Sequence, residues 1–236
     1  MSASGALAGQ EIRRAGWPAL AAVPAVLAVG TGVSLLLAVK GSDAGVFLRF
    51  WLREVVPLAF GLAVPAVPAA ETSLELQLSL PTPVPVTLAR RAGLAVLSAA
   101  LATAALTVVA YAGGLWHPAH GVLAGQLSWL SPALALGGLG AAVFALTASV
   151  TGAAAAVAGG WLVSDLTVQW FAGHGWTRVL YPFVDDAPGS LAGWWWPNRL
   201  TLLGLGAMLA GLAGTILTVQ RQRVLTARLS RQGSDG

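Results

Sequence analysis

Nearly everything about this 236-residue chain follows from six apolar stretches, at 16–39, 54–70, 92–114, 128–150, 151–172 and 200–219. A hydrocarbon core about 30 Å thick takes roughly 20 apolar residues as a helix. Lipid offers no hydrogen-bond partner, so a crossing segment must satisfy its own backbone. Each stretch is therefore expected to be a membrane-spanning helix. The whole chain agrees, being 56% hydrophobic and 9% charged with mean hydropathy +0.75, where a soluble domain carries about 25% charged residues. The expected fold class is an all-α membrane protein of six transmembrane helices forming a single domain over 1–236.

The few charges report topology. Of the 13 basic residues only Lys40 is lysine, and the net charge of +4 does not point to nucleic acid, because the arginines sit beside apolar spans rather than on one polar face. An even number of spans puts both termini on one side. That side holds Arg13, Arg14, Arg90, Arg91, Arg221, Arg223, Arg228 and Arg231, and the opposite side holds Lys40, Arg49, Arg53, Arg178 and Arg199. Cytoplasmic segments carry the basic excess. Both termini and a basic tail at 220–236 are thus expected in the cytoplasm, with an outer loop at 173–198. The wealth of Ala, Gly and Arg suits a GC-rich bacterial genome, hence a bacterial plasma (inner) membrane. Residues 16–39 are too long for a signal-peptide core and read as a retained span. Val46 to Arg53, where Phe47, Phe50 and Trp51 alternate with Arg49 and Arg53, reads equally as an interfacial helix or as an outward extension of the second span.

Small residues recur every four positions at Gly137, Ala141 and Ala145, at Gly152, Ala156 and Gly160, and at Gly206, Ala210 and Gly214. Such stripes let helices approach closely in lipid and point to a compact bundle and an oligomer. The absence of cysteine excludes disulfides, thiolate metal sites and cysteine nucleophiles. No Gly-x-x-x-x-Gly-Lys-Ser/Thr loop is present to cradle nucleotide phosphates, so ATP-driven work would need a second subunit. No serine–histidine–aspartate set, paired intramembrane carboxylates or zinc-protease helix is present either, and the chain is not expected to be an enzyme.

One polar, patterned segment interrupts the apolar text: Glu71-Thr-Ser-Leu-Glu75-Leu-Gln-Leu-Ser79-Leu-Pro81-Thr-Pro83, closing on Arg90-Arg91. From spacing alone it is either a short helix on the inner membrane surface, stopped by Pro81, Pro83 and Pro85, or an ordinary cytoplasmic loop. The run from Ser73 to Pro81 between a second and third span resembles the signature of the type-2 ATP-binding-cassette (ABC) exporter permeases. That signature is a Glu, then Thr/Ser-Leu-Glu, a leucine-rich stretch, Ser-x-Pro and basic residues before the third span. The layout of spans is similar over nearly the whole chain, and the specific motif covers only 71–91. The lead-in Ala69-Ala70-Glu71-Thr72, and Pro83 and Pro85 in place of a basic residue, depart from the pattern. The resemblance implies a cytoplasmic coupling segment at 71–91 that docks into a groove of an ABC ATPase subunit. Glu71, Ser73, Glu75, Ser79 and Pro81 would lie at or support that contact. It implies a second permease subunit, identical or paralogous, no cofactor on this chain, and ATP with Mg bound by the ATPase. The scarcity of polar groups within the spans suits a hydrophobic or amphiphilic cargo.

Other residues suggest rival readings. Asp165 lies within the fifth span, and an ionisable group at membrane depth marks a pathway or proton relay unless it is hydrated at the surface or bonded within the bundle. A proton-coupled secondary transporter using Asp165 is one alternative, and a non-transporting membrane assembly factor is another. His117 and His120 flank Pro118, and His174 stands with Asp185 and Asp186 in the outer loop; neither set has the ligand number of a metal site. Trp170, Trp176, Trp194, Trp195 and Trp196 read as an interfacial belt or as an aromatic patch facing cargo.

Overall fold

The computed structural model of the chain describes residues 17–69, 84–184, 191 and 193–234. Among them there are helices and turns and no strand. Helix α1 is Trp17–Val39; α2, Ala44–Phe50, runs through a π-helical turn, Trp51–Val55, into α3, Val56–Ala69. Helix α4 is Val84–Ala112, α5 is Gly121–Gly125, α6 is Leu127–Thr147 and α7 is Val150–Leu166. After α8, Val168–Gly173, and a 3-10 turn, Gly175–Leu180, the chain ends in α9, Trp195–Ser234. Successive long helices reverse direction. The turns at 40–43, 113–120 and 174–184 therefore lie at one end of the bundle, the distal face. The end of α3, the start of α4 and the α6–α7 turn lie at the other, proximal face.

Among the described residues, five segments are long and apolar enough to cross a membrane: Leu20–Val39, Ala44–Val67, Ala89–Ala112, Gly121–Thr147 and Trp195–Val219. The stretch expected to span at 151–172 is instead the 17-residue α7, roughly 25 Å at about 1.5 Å per residue and short of the roughly 30 Å core. Its ladder stops at Thr167 (φ −110°, ψ 24°), whose hydroxyl donates to the Val163 carbonyl at 2.6 Å. The helix resumes after Thr167 as the short α8.

Three more boundaries have local reasons; two differ from those the sequence suggests, and one decides between its two readings. Helix α4 begins at Val84, so the last third of the 71–91 segment, Arg90 and Arg91 included, is helical. Pro85 stands in its first turn, where a missing N–H costs nothing. Asp43 caps α2, its Oδ1 accepting from the Gly45 and Val46 amides at 2.9 and 3.1 Å, so Val46 to Arg53 extends the second span outward. The outer loop is shorter than 173–198, because α9 already starts at Trp195 with Pro197 in its opening turn.

Helix α6 is the hub, packed against α9, α3 and α7. Its approach to α9 needs the absence of a side chain on both sides. A Cβ on Gly206 would come within 2.5 Å of the Leu134 carbonyl oxygen, and one on Gly138 within 2.6 Å of the Gly206 oxygen. Val56, Phe60 and Trp129 fill the core beside this crossing. Two indoles then tie helices together: Trp51 Nε1 donates to the Val26 carbonyl at 3.0 Å and Trp161 Nε1 to that of Glu54 at 3.1 Å.

Candidate functional site: a basic cavity and an apolar cleft

Among the described residues a basic cavity and an apolar cleft stand out. The first, a cavity of about 140 Å³, lies at the distal face, lined by Arg49 and Arg53 from α2 and the π turn, His117 and His120 from the α4–α5 connection, Ser128 of α6 and Trp195 of α9. Arg49 and Arg53 stand four residues apart and so face the same way. The intervening π turn matters because such turns re-aim side chains, often at functional sites. Arg53 pairs with the neighbouring Glu54, whose carboxylate is buried, and its guanidinium lies 6.0 Å from the Phe183 ring centre. Arg49 is half-buried and makes no hydrogen bond or ion pair to any described residue. His120 stacks on Trp195 with ring centres 4.2 Å apart.

A folded cap walls this cavity. Tyr181, Phe183, Val184, Leu191 and Trp195 form a separate core against Trp161 and Phe171. Two polar residues on the first turn of α9 stitch it down. Asn198 Nδ2 donates to the Tyr181 and Arg178 carbonyls at 2.7 and 3.1 Å, and an Arg199 guanidinium nitrogen donates to the Pro182 carbonyl at 2.8 Å. Both side chains are fully buried. Buried polar groups survive where they are bonded, and here they satisfy carbonyls of a loop with no regular structure of its own. Sequence reasoning placed Arg199 among the outer charges and passed over Asn198. The signal was present as a polar pair directly after Trp194-Trp195-Trp196-Pro197, where a helix start needs capping chemistry.

The second concavity, about 400 Å³, is an apolar cleft between α3, α4, α6 and α9, walled by Phe60, Val64, Val96, Phe144, Leu203 and Leu217. It runs from mid-bundle towards the proximal face. A cleft of about 300–1,000 Å³ suits a small ligand or an acyl chain.

The residues singled out from sequence fare unevenly. Glu71, Ser73, Glu75, Ser79 and Pro81 lie outside the described residues, as do Asp185 and Asp186. Asp165 is exposed in the last turn of α7 and lines neither concavity. His117 and His120 do converge on the basic cavity, although among the described residues no three His, Cys, Asp or Glu groups gather for a metal. His174 instead sets Nδ1 2.9 Å from the Trp170 carbonyl. Of the five tryptophans, Trp170, Trp176 and Trp196 are exposed as a belt requires, whereas Trp195 is buried in the cap. Comparison of the chain with known protein families, curated proteins and solved structures finds no match.

Proposed function

We propose that the chain is the membrane-spanning subunit of an ATP-driven ABC transporter of the type-2 exporter-permease kind, set in a bacterial plasma membrane with both termini in the cytoplasm. It would export a hydrophobic or amphiphilic substrate while a separate subunit binds ATP and Mg and hydrolyses the nucleotide. In that reading α7 and α8 together make the sixth pass, and two permease subunits pack side by side.

The observation that carries the reading is the Glu71 to Pro81 sequence, Glu-x-Ser-Leu-Glu followed by a leucine-rich run and Ser-x-Pro, joining α3 to α4. Helices α3 and α4 pack against each other and against α1. A push on their connection at the proximal face would therefore move a bundle rather than one loose rod, which is how a rigid-body closure of ATPases would reach the membrane. The apolar cleft opens between those same two helices and α6 and α9, and its walls suit an acyl or aromatic tail. Glu71 and Glu75 are four residues apart, placing both carboxylates on one face of any helix formed there.

The test is purification of the tagged chain from its native membranes together with a Glu75→Ala variant. A nucleotide-hydrolysing subunit is expected to accompany the native chain. The variant is expected to insert normally while transport and cargo-stimulated ATP turnover fall roughly tenfold or more, as for the loss of a hydrogen bond to a charged group worth about 1.5–3 kcal/mol. No such companion, or unchanged coupling in the variant, overturns the reading.

A further inference from the structure

The distal cavity gathers Arg49, His117 and His120, which the transport proposal leaves without a task. We infer that it binds a phosphate oxyanion, presented at the membrane surface as the phosphate of a lipid headgroup. The inference stands whether or not the chain is a transporter subunit.

Arg49 supplies the first argument. Its guanidinium carries five donors in a planar fork suited to phosphate and carboxylate oxygens, it is half-buried, and no described residue accepts from it. A cation drawn partly out of water needs an anion close by. The second argument is the direction of the remaining donors. His117 and His120 come from the α4–α5 connection and Arg49 from α2, whereas the Ser128 hydroxyl of α6 is already spent on the Gly125 carbonyl at 2.6 Å. Donors approaching from separate helices fit a tetrahedral group with oxygens pointing several ways better than a planar carboxylate. The third is charge. Among the described residues no carboxylate lines the cavity, and the nearby Glu54 is taken by Arg53, which leaves the Arg49 charge uncompensated. A volume of about 140 Å³ exceeds the roughly 30 Å³ share of one water and admits an oxyanion with part of its hydration.

Position selects the lipid as the source. The cavity opens at the bundle end where Trp170, Trp176 and Trp196 are exposed, the last two at 71% and 49%. Tryptophan is enriched at headgroup depth, so a cavity on that level meets phospholipid phosphates before it meets solutes. His120, stacked on Trp195 with ring centres 4.2 Å apart, lines the cavity beside it. Ligation there would brace α2 against α9 and the cap.

The experiment uses the full chain in dodecyl maltoside micelles, which carry no phosphate, read by tryptophan fluorescence (Trp116 and Trp195 both line the cavity) and by melting temperature. The probes are water-soluble short-chain phosphatidic acid, short-chain diacylglycerol lacking the phosphate, and inorganic phosphate. Saturable binding of phosphatidic acid is expected, with a raised melting temperature, no response to diacylglycerol, and affinity reduced tenfold or more in Arg49→Gln. Arg49→Lys should recover part of the loss. Inorganic phosphate is expected to bind at least tenfold more weakly than the lipid; equal affinity would overturn the lipid source and assign the site to a free anion. His117→Gln provides a second reading of the same site should Arg49→Gln fold poorly, and should weaken phosphatidic acid at least threefold. Absence of saturable binding by either phosphate probe, or identical affinity in the native, Arg49→Gln and His117→Gln chains, overturns the inference outright.

Discussion

Asn198 shows how one side chain holds a whole loop. It is fully buried, and its amide reaches carbonyls 17 and 20 residues back along the chain. Asn198→Leu keeps the volume and removes both donors, leaving two carbonyls in an apolar cap. Each unsatisfied group costs about 1–3 kcal/mol, so the melting temperature in detergent should drop and the cap should become protease-sensitive. Arg199→Lys is not a conservative change either, since the flat guanidinium both donates to the Pro182 carbonyl and lies 5.8 Å from the Trp195 ring centre. An ammonium does not reproduce that geometry. Asp165 is the opposite case. Exposed and outside both concavities, it should tolerate Asp165→Asn with transport unchanged within twofold; abolished transport would return the proton-coupled mechanism to first place.

At the scale of elements, the stripe Gly206, Ala210, Gly214 separates into positions with different duties. Gly206 abuts the backbone of α6, while a Cβ on Gly214 meets nothing within 4 Å. Gly206→Val should force α9 off α6 at a cost of about 1–3 kcal/mol or more, seen as lost monodispersity and a lower melting temperature, whereas Gly214→Val should leave the protomer intact. The turn between α6 and α7 carries a smaller strain. Ala148 sits at φ 52°, the left-handed region, with Ser149 capping α7 by accepting from the Gly152 amide at 3.0 Å. A residue with a Cβ pays about 1–2 kcal/mol there, so Ala148→Gly is expected to raise stability by about 1 kcal/mol, measured by reversible unfolding in mixed micelles.

For the molecule as a whole, the absence of native cysteine makes orientation directly testable. Single cysteines at Ala119 in the α4–α5 connection and at Ser79 should behave oppositely, Ala119→Cys reacting with an impermeant maleimide from outside intact cells and Ser79→Cys reacting only after lysis. Hydropathy sums along the chain, so the apolar rods were readable without coordinates. The same sums treated 151–172 as one rod, where the structure has the 17-residue α7 followed by the short α8. They also treated Arg199 as a surface charge, because its partner lies 17 residues away in sequence. Sequence by itself determined that this chain is helical, apolar and built to live in lipid, since the cost of an unsatisfied backbone in hydrocarbon leaves no other solution. Only the tertiary structure decided which glycine is a crossing point, which polar side chains are buried, and that Arg49 and two histidines meet around one cavity. Those outcomes depend on contacts between segments far apart in the chain, where close packing and the pairing of buried polar groups select one arrangement.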